Sequence, residues 1–345
     1  MTRYDILRLG LLAAPFGSTA LLSGTAVRKM VLVVQEGLGQ VVLFPPDHPE
    51  RKKAVRVGEK PHEIEVTPDG KTAFVSNFGL LEVNHQIGTP GTTISVLDVR
   101  AVLERARFQL PAGCTAPHGL KLRPPKHREL FTNTEVGREA MVVFDAVSGM
   151  VLRTFDLPPG VHNFIFQADG RSLFAFTTTG RVLKVDPKGG AILAQAEIAA
   201  PRGLGWTADR RRLIVGGRNE LVLLNPADLS VEARFGHLGV GQIFYPSVSA
   251  DGRWILAPAV LDGILLVIDA KTGQVAQRVK TGSPLLVVPD GKHAWVSNVL
   301  VPPQMMPAGA EARNGGVALL DLETFAVVSI GAVPDANGIA VAAPR

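Results

Sequence analysis

Apolar and polar positions alternate in short runs along this chain, and the runs recur in a fixed order. A turn residue leads into a first run, an Asp-Gly pair usually follows, then a second run, then a third that ends in Asp or Asn. The third runs are the plainest: Ile94–Val99 (ISVLDV), Met141–Ala146 (MVVFDA), Val182–Pro187 (VLKVDP), Leu221–Pro226 (LVLLNP), Leu265–Ala270 (LLVIDA) and Val317–Leu322 (VALLDL). Alternation over such short stretches, bounded by turn residues, reads as β-strand. The unit occurs seven times, the last time divided between the two chain ends, at a period of about forty residues with about four strands per unit. That pattern predicts an all-β chain folded as a seven-bladed β-propeller of four-stranded antiparallel blades. No segment beyond the N-terminus sustains helical periodicity.

Six units run from His62 to about Pro334, and a seventh begins at Asn337–Ala342 (NGIAVA) and stops. Its missing strands are at the other end: Met30–Gln35, Gln40–Phe44 and Lys53–Gly58. The ring is therefore expected to close by pairing N-terminal strands with the C-terminal inner strand, which leaves no long open edge. One propeller domain spans 30–343. Asp69-Gly70, Asp169-Gly170, Asp251-Gly252 and Asp290-Gly291 supply the positive φ that a tight hairpin demands. Two units depart from this, with Asp209-Arg210 lacking the glycine and Pro124-Pro125 in place of the turn.

Two of the second strands end in a recognisable tetrapeptide. Phe74–Asn77 reads FVSN and Trp295–Asn298 reads WVSN, with a weaker copy, LFTN, at Leu130–Asn133. With Val66–Asn77 (VTPDGKTAFVSN) ahead of TTISVLDV, the chain resembles the YVTN-repeat β-propeller family over nearly all of 30–343. The resemblance implies the fold. For activity it implies only a range, which includes lactonase-like enzymes, electron-transfer partners, surface-layer repeats and many uncharacterised secreted proteins, because one fold hosts many functions. It also implies a turn-satisfying role for Asn77, Asn133 and Asn298.

Composition narrows the picture modestly. The net charge of +5 is scattered, with local clusters at Arg51–Lys53, Lys121–Arg128 and Arg210–Arg212. No basic patch interleaves with stacking aromatics, so nucleic acid is not an expected partner. The one cysteine, Cys114, excludes an intrachain disulfide and reads as a buried thiol, with a soft-ligand role as the sharper alternative. Arg3 and Arg8 precede the apolar stretch Leu9–Leu22, and Gly24 and Ala26 stand at a plausible cleavage site. Residues 1–26 thus read as a signal peptide, which implies a periplasmic or secreted protein, with a cytoplasmic tail as the alternative. The stretch is too short to be a comfortable transmembrane segment.

Candidate chemistry lies at one mouth of the channel, where inner strands begin and second-to-third-strand turns return. The residues at the starts of successive inner strands are His62, His118, His162, Arg202, Phe244, about Leu285, and Asn337. Three imidazoles on consecutive blades suit zinc, copper, iron or nickel, so His62, His118 and His162 are the candidate metal ligands. A ring richer in His than in acids argues against a hard-cation cage. The bland alternative is that these histidines line the channel or bond a neighbouring blade. Glu63 and Glu135 are candidate proton carriers, Arg202 a candidate anchor for an anionic group, and Tyr245 a candidate acid or donor. Long connections at Gly79–Thr93 and Val299–Gly315 flank the same mouth, with Glu82 and His85 on the first and the apolar Val301–Pro307 on the second.

Two function classes follow. One is a metal-dependent hydrolase or lyase acting on a small ester or lactone at the histidine-lined mouth. The other is a non-catalytic exported propeller that binds a protein or small ligand on its loop-rich face. No nucleophile elbow, nucleotide fingerprint, phosphate loop or paired-Cys haem attachment motif is present.

Overall fold

A computed structural model describes residues 29–81, 84–301, 315–331 and 333–343. Seven four-stranded antiparallel sheets form a ring, a seven-bladed β-propeller, and no helix occurs among the described residues. Blade one runs outward through Pro61–Val66, Thr72–Asn77, Thr93–Asp98 and Leu103–Gln109. Blades two to six begin with inner strands Cys114–Leu122, Val161–Phe166, Leu204–Trp206, Ser247–Val248 and Pro284–Asp290. Blade seven is composite: Lys53–Arg56, Gln40–Phe44 and Met30–Gln35 pair in order, and Met30–Gln35 pairs antiparallel with the final strand, Ala336–Ala342. The first and last described strands thus meet in one sheet, as the split repeat predicts.

The alternation in the sequence has a direct structural cause. Inner and middle strands are buried on both faces between neighbouring blades, whereas fourth strands such as Val231–Gly236 alternate exposed and half-buried positions at the rim. Each seam between blades holds its own apolar cluster. At the closing seam Phe44 of blade seven meets Trp295 of blade six edge-on at 5.7 Å, and Trp295 donates its indole N–H to Asp290. Burial of side chains this large contributes about 2–3 kcal/mol each.

The hairpin glycines adopt the left-handed conformation their turns need, with φ of 69° at Gly70, 67° at Gly170, 74° at Gly252 and 61° at Gly291. Arg210 occupies the same position in blade four and is held at φ 58°. Asp209 keeps that turn closed, accepting from the Thr207 hydroxyl at 2.7 Å and the Arg211 amide at 3.0 Å. An L-residue with a β-carbon is strained there, while glycine carries more chain entropy. Arg210→Gly is therefore expected to raise stability modestly, by about 0.5 kcal/mol. A urea midpoint at or below that of the parent would contradict the strain argument.

Residues 1–26, read from sequence as a signal peptide, Glu82 and the apolar connection from 302 to 307 lie outside the described residues. Among those described, no helix is long and apolar enough to cross a membrane.

Candidate metal centre

What positions the mouth is a recurring irregularity at the start of the inner strand. The register with the second strand shifts between Pro61 and Ile64 in blade one, Pro117 and Leu120 in blade two, and Val161 and Asn163 in blade three. The same shift occurs between Pro284 and Leu286 in blade six, and opposite Ala336–Ile339 in blade seven. A bulge re-aims the side chain it carries. The residues inside these bulges include His62, His118, His162, Leu285 and Asn337. Blades four and five lack the device: Arg202 and Phe244 precede shortened inner strands and are tied by their amides to Gly216 and Pro258.

The three histidines converge. Ring centroids lie 4.2 Å apart for His62 and His118 and 4.1 Å for His118 and His162, and all three side chains are essentially inaccessible to solvent. Phe78, fully buried directly after the FVSN tetrapeptide, packs edge-on against His62 and His118 and fixes their tilt. On the far side Phe176 supports His162 at 5.5 Å.

Glu135 completes the group. Its Oε1 lies 2.9 Å from His162 Nδ1 and 3.8 Å from His118 Nδ1. One ligand atom from each of His118, Glu135 and His162 falls within 4.8 Å of the others. A transition-metal ion with bonds of about 2.0–2.2 Å sets its ligand atoms roughly 3 Å apart. The shortest edge, Glu135 Oε1 to His162 Nδ1, already matches. The residues therefore fit a two-His, one-carboxylate ion site, the donor set of several catalytic zinc and non-haem iron centres. His62 packs edge-on against His118 as the neighbour of this group instead of contributing to the tightest set.

Glu135 reaches the mouth because the first hairpin of blade two is extended. Cys114–Leu122 and Glu129–Gly137 remain paired as far as Cys114 opposite Gly137, beyond the repeat Asn133. Above it, the long connection of blade one folds into a small hairpin, Leu80–Leu81 with Asn84–Gly88. That hairpin brings His85 Nδ1 to 3.5 Å from Glu135 Oε2 and its ring into a stacked arrangement 6.2 Å from His162. With a side chain 37% exposed against 12% for Glu135, His85 is the most exposed member of the group.

Glu63 lies beneath the histidine layer. Its carboxylate accepts from Asn163 Nδ2 at 3.0 Å and from Lys121 Nζ at 3.3 Å. Burial would raise its pKa, but Lys121, and then His62 and His118, outweigh burial and hold it below the ordinary carboxylate value. Glu63 is therefore a fixed anion and a poor proton donor. Two channel cavities, of about 180 and 360 Å³, both touch Glu63 and Lys121, so this ion pair stands between them.

The remaining sequence candidates sit farther out. Arg202 lies over the Phe244 ring at 5.7 Å. Tyr245 lines the smaller cavity and touches Phe176 at 6.2 Å, one ring removed from His162. Cys114 is buried in the apolar seam between blades one and two. Lys121, Asn163 and Phe78 had no signal in the sequence beyond their closeness to a mouth histidine or repeat asparagine.

No family model matches the chain, and no curated protein resembles it significantly in sequence. Solved structures do. The chain is similar to a functionally unknown protein from Desulfotomaculum acetoxidans, at a TM-score of 0.69 and 14% identity over 92% of this chain and 99% of that one. It is also similar to the dihydro-heme d1 dehydrogenase NirN in complex with DHE, at a TM-score of 0.63 and 14% identity over 94% of this chain and 77% of that one. Both likenesses are to the β-propeller fold. This chain is a seven-bladed β-propeller with a buried His/Glu cluster at its channel mouth.

Proposed function

We propose that the protein is a YVTN-type propeller enzyme that uses a transition-metal ion to hydrolyse a small ester or lactone. The observation that carries the reading is the meeting of His118, Glu135 and His162, from two blades, with ligand atoms inside 4.8 Å. Converging titratable side chains of this kind are where a site is expected, and the smaller cavity reaches Asn163 and Phe176 beside His162. A bound ion would supply Lewis acidity toward a substrate carbonyl. The reaction adds one water across the acyl C–O bond, releasing an acid and an alcohol, or one hydroxy acid from a lactone.

The chain's own groups have separable parts in this reading. His118 and His162, walled by Phe78 and Phe176, hold fixed positions and exclude bulk water. Glu135 presents one oxygen to them and the other to His85, so a proton leaving the buried cluster has a path to solvent through the exposed imidazole. Glu63 stays ionised below and favours positive charge on the layer above it.

The test is metal content by plasma mass spectrometry on protein prepared without a histidine tag, beside a His118→Ala/His162→Ala variant. Near-stoichiometric zinc, copper, iron or nickel is expected in the parent and at least about tenfold less in the variant. Absence of metal in the parent, even after reconstitution, would remove the metalloenzyme reading. A visible tetrapyrrole absorbance in the purified parent would redirect it toward the kind of ligand chemistry named for the dehydrogenase neighbour.

A further inference from the structure

Beside the histidines, the ring formed by the bulges continues into blade seven. Asn337 takes the bulge position there, next in order to His62, and the following Gly338 packs so closely that a β-carbon on it would meet the His62 carbonyl oxygen at 2.4 Å. Asn337 is completely buried, yet neither its Nδ2 nor its Oδ1 has a hydrogen-bond partner among the described residues. Buried carboxamides are almost always satisfied, and an unsatisfied one lowers stability. On its other side, blade six presents Leu285, which packs with Val260, Val299, Val301, Phe244 and Tyr245. Asn337 is thus the polar residue at the junction of the histidine arc and an apolar arc.

We propose that Asn337 anchors the substrate, and that the substrate is a neutral ester or lactone with an apolar acyl portion. Its carboxamide offers one donor and one acceptor face, which suits a carbonyl or hydroxyl oxygen and gives no charge to attract a carboxylate. The apolar portion lies over Leu285 and its neighbours, and the reacting carbonyl is turned toward His118, Glu135 and His162. This assignment rests on the ester or lactone reading of the same mouth, and it places specificity in a residue outside the group of His118, Glu135 and His162.

The experiment compares parent and Asn337→Leu protein in three measurements: zinc content, melting temperature, and binding of δ-valerolactone and a longer-chain δ-lactone by saturation-transfer NMR. Zinc content is expected to be equal in the two. The melting temperature is expected to hold or rise by about 2 °C, because an apolar side chain of similar size removes unsatisfied polar atoms. Lactone binding is expected to weaken at least about tenfold, with the longer chain bound more tightly by the parent. A melting temperature lowered by several degrees would make Asn337 structural and overturn the proposal. So would lactone binding unchanged in the variant, or no lactone binding by a parent that holds zinc. A parent that binds lactone without zinc would overturn the metal reading and leave the anchoring role standing or falling on the variant.

Discussion

Deletion of the chain from Ala336 onward is expected to abolish the cooperative native fold. The lost strand supplies the inner edge of blade seven and pairs with Met30–Gln35 from Met30 opposite Ala342 to Gln35 opposite Ala336. Val31, Leu32, Val33 and Val34 are all fully buried at that seam. Removing the strand forfeits the burial of Ile339, about 2 kcal/mol, and several ladder hydrogen bonds at about 1 kcal/mol each. The sum, of order 5–10 kcal/mol, is comparable with the entire stability of a typical domain. It also uncovers a long apolar strand edge that invites association. Gel filtration and thermal unfolding should show aggregated or non-cooperative material, and a synthetic peptide covering 334–345 should restore part of the transition by strand addition. A truncated chain that melts cooperatively within a few degrees of the parent would show that the ring does not depend on this closure.

That the closure was legible in the sequence follows from how blades are made. Strands buried on both faces need continuous or alternating apolar runs, and their turns need Asp-Gly, so Ile94–Val99 and Leu265–Ala270 announce themselves within a residue of the observed strands Thr93–Asp98 and Ile264–Asp269. The missing glycine at Arg210 was visible as well, and the structure shows the strain that results.

The candidate centre was legible only in part. His62, His118 and His162 could be aligned because inner strands begin at equivalent points, and the structure brings them together. The bulge that re-aims them was not legible, since it is a register shift without a residue signature of its own. Its absence in blades four and five is what keeps Arg202 and Phe244 out of the series that alignment alone suggested. Glu135 stood in the sequence as a proton carrier; that it shares an ion-sized space with His118 and His162 depends on the length of one hairpin arm. Asn337 was visible as a ring position, but its unsatisfied burial is a property of three dimensions.

Loss of Lys121 is expected to cost more than any ordinary charge removal. Glu63 has a side chain only 6% exposed, and that of Lys121 is 25% exposed, so the pair is shielded from water while still open to the channel cavities. Breaking a buried pair by removing one member leaves a desolvated charge, and Lys121→Met should destabilise by about 3 kcal/mol near neutral pH. Glu63→Gln/Lys121→Met should recover most of that, because no charge is left stranded, and the double-mutant cycle gives the coupling directly. The pH dependence follows from the direction of each shift. Glu63 is held low despite its burial, so its contribution is present above about pH 4.3, its unfolded value, and is lost as pH falls through the lower folded pKa. Lys121 is held high, again against burial, by Glu63 and Glu65; its contribution is present below about pH 10.4 and is lost as pH rises through the folded value. Without Lys121, burial faces less opposition and should drive the Glu63 carboxyl upward. The Lys121→Met deficit should then shrink as the pH is lowered from 7 toward 5. A penalty below about 0.5 kcal/mol at neutral pH would instead equate this pair with an exposed surface bridge.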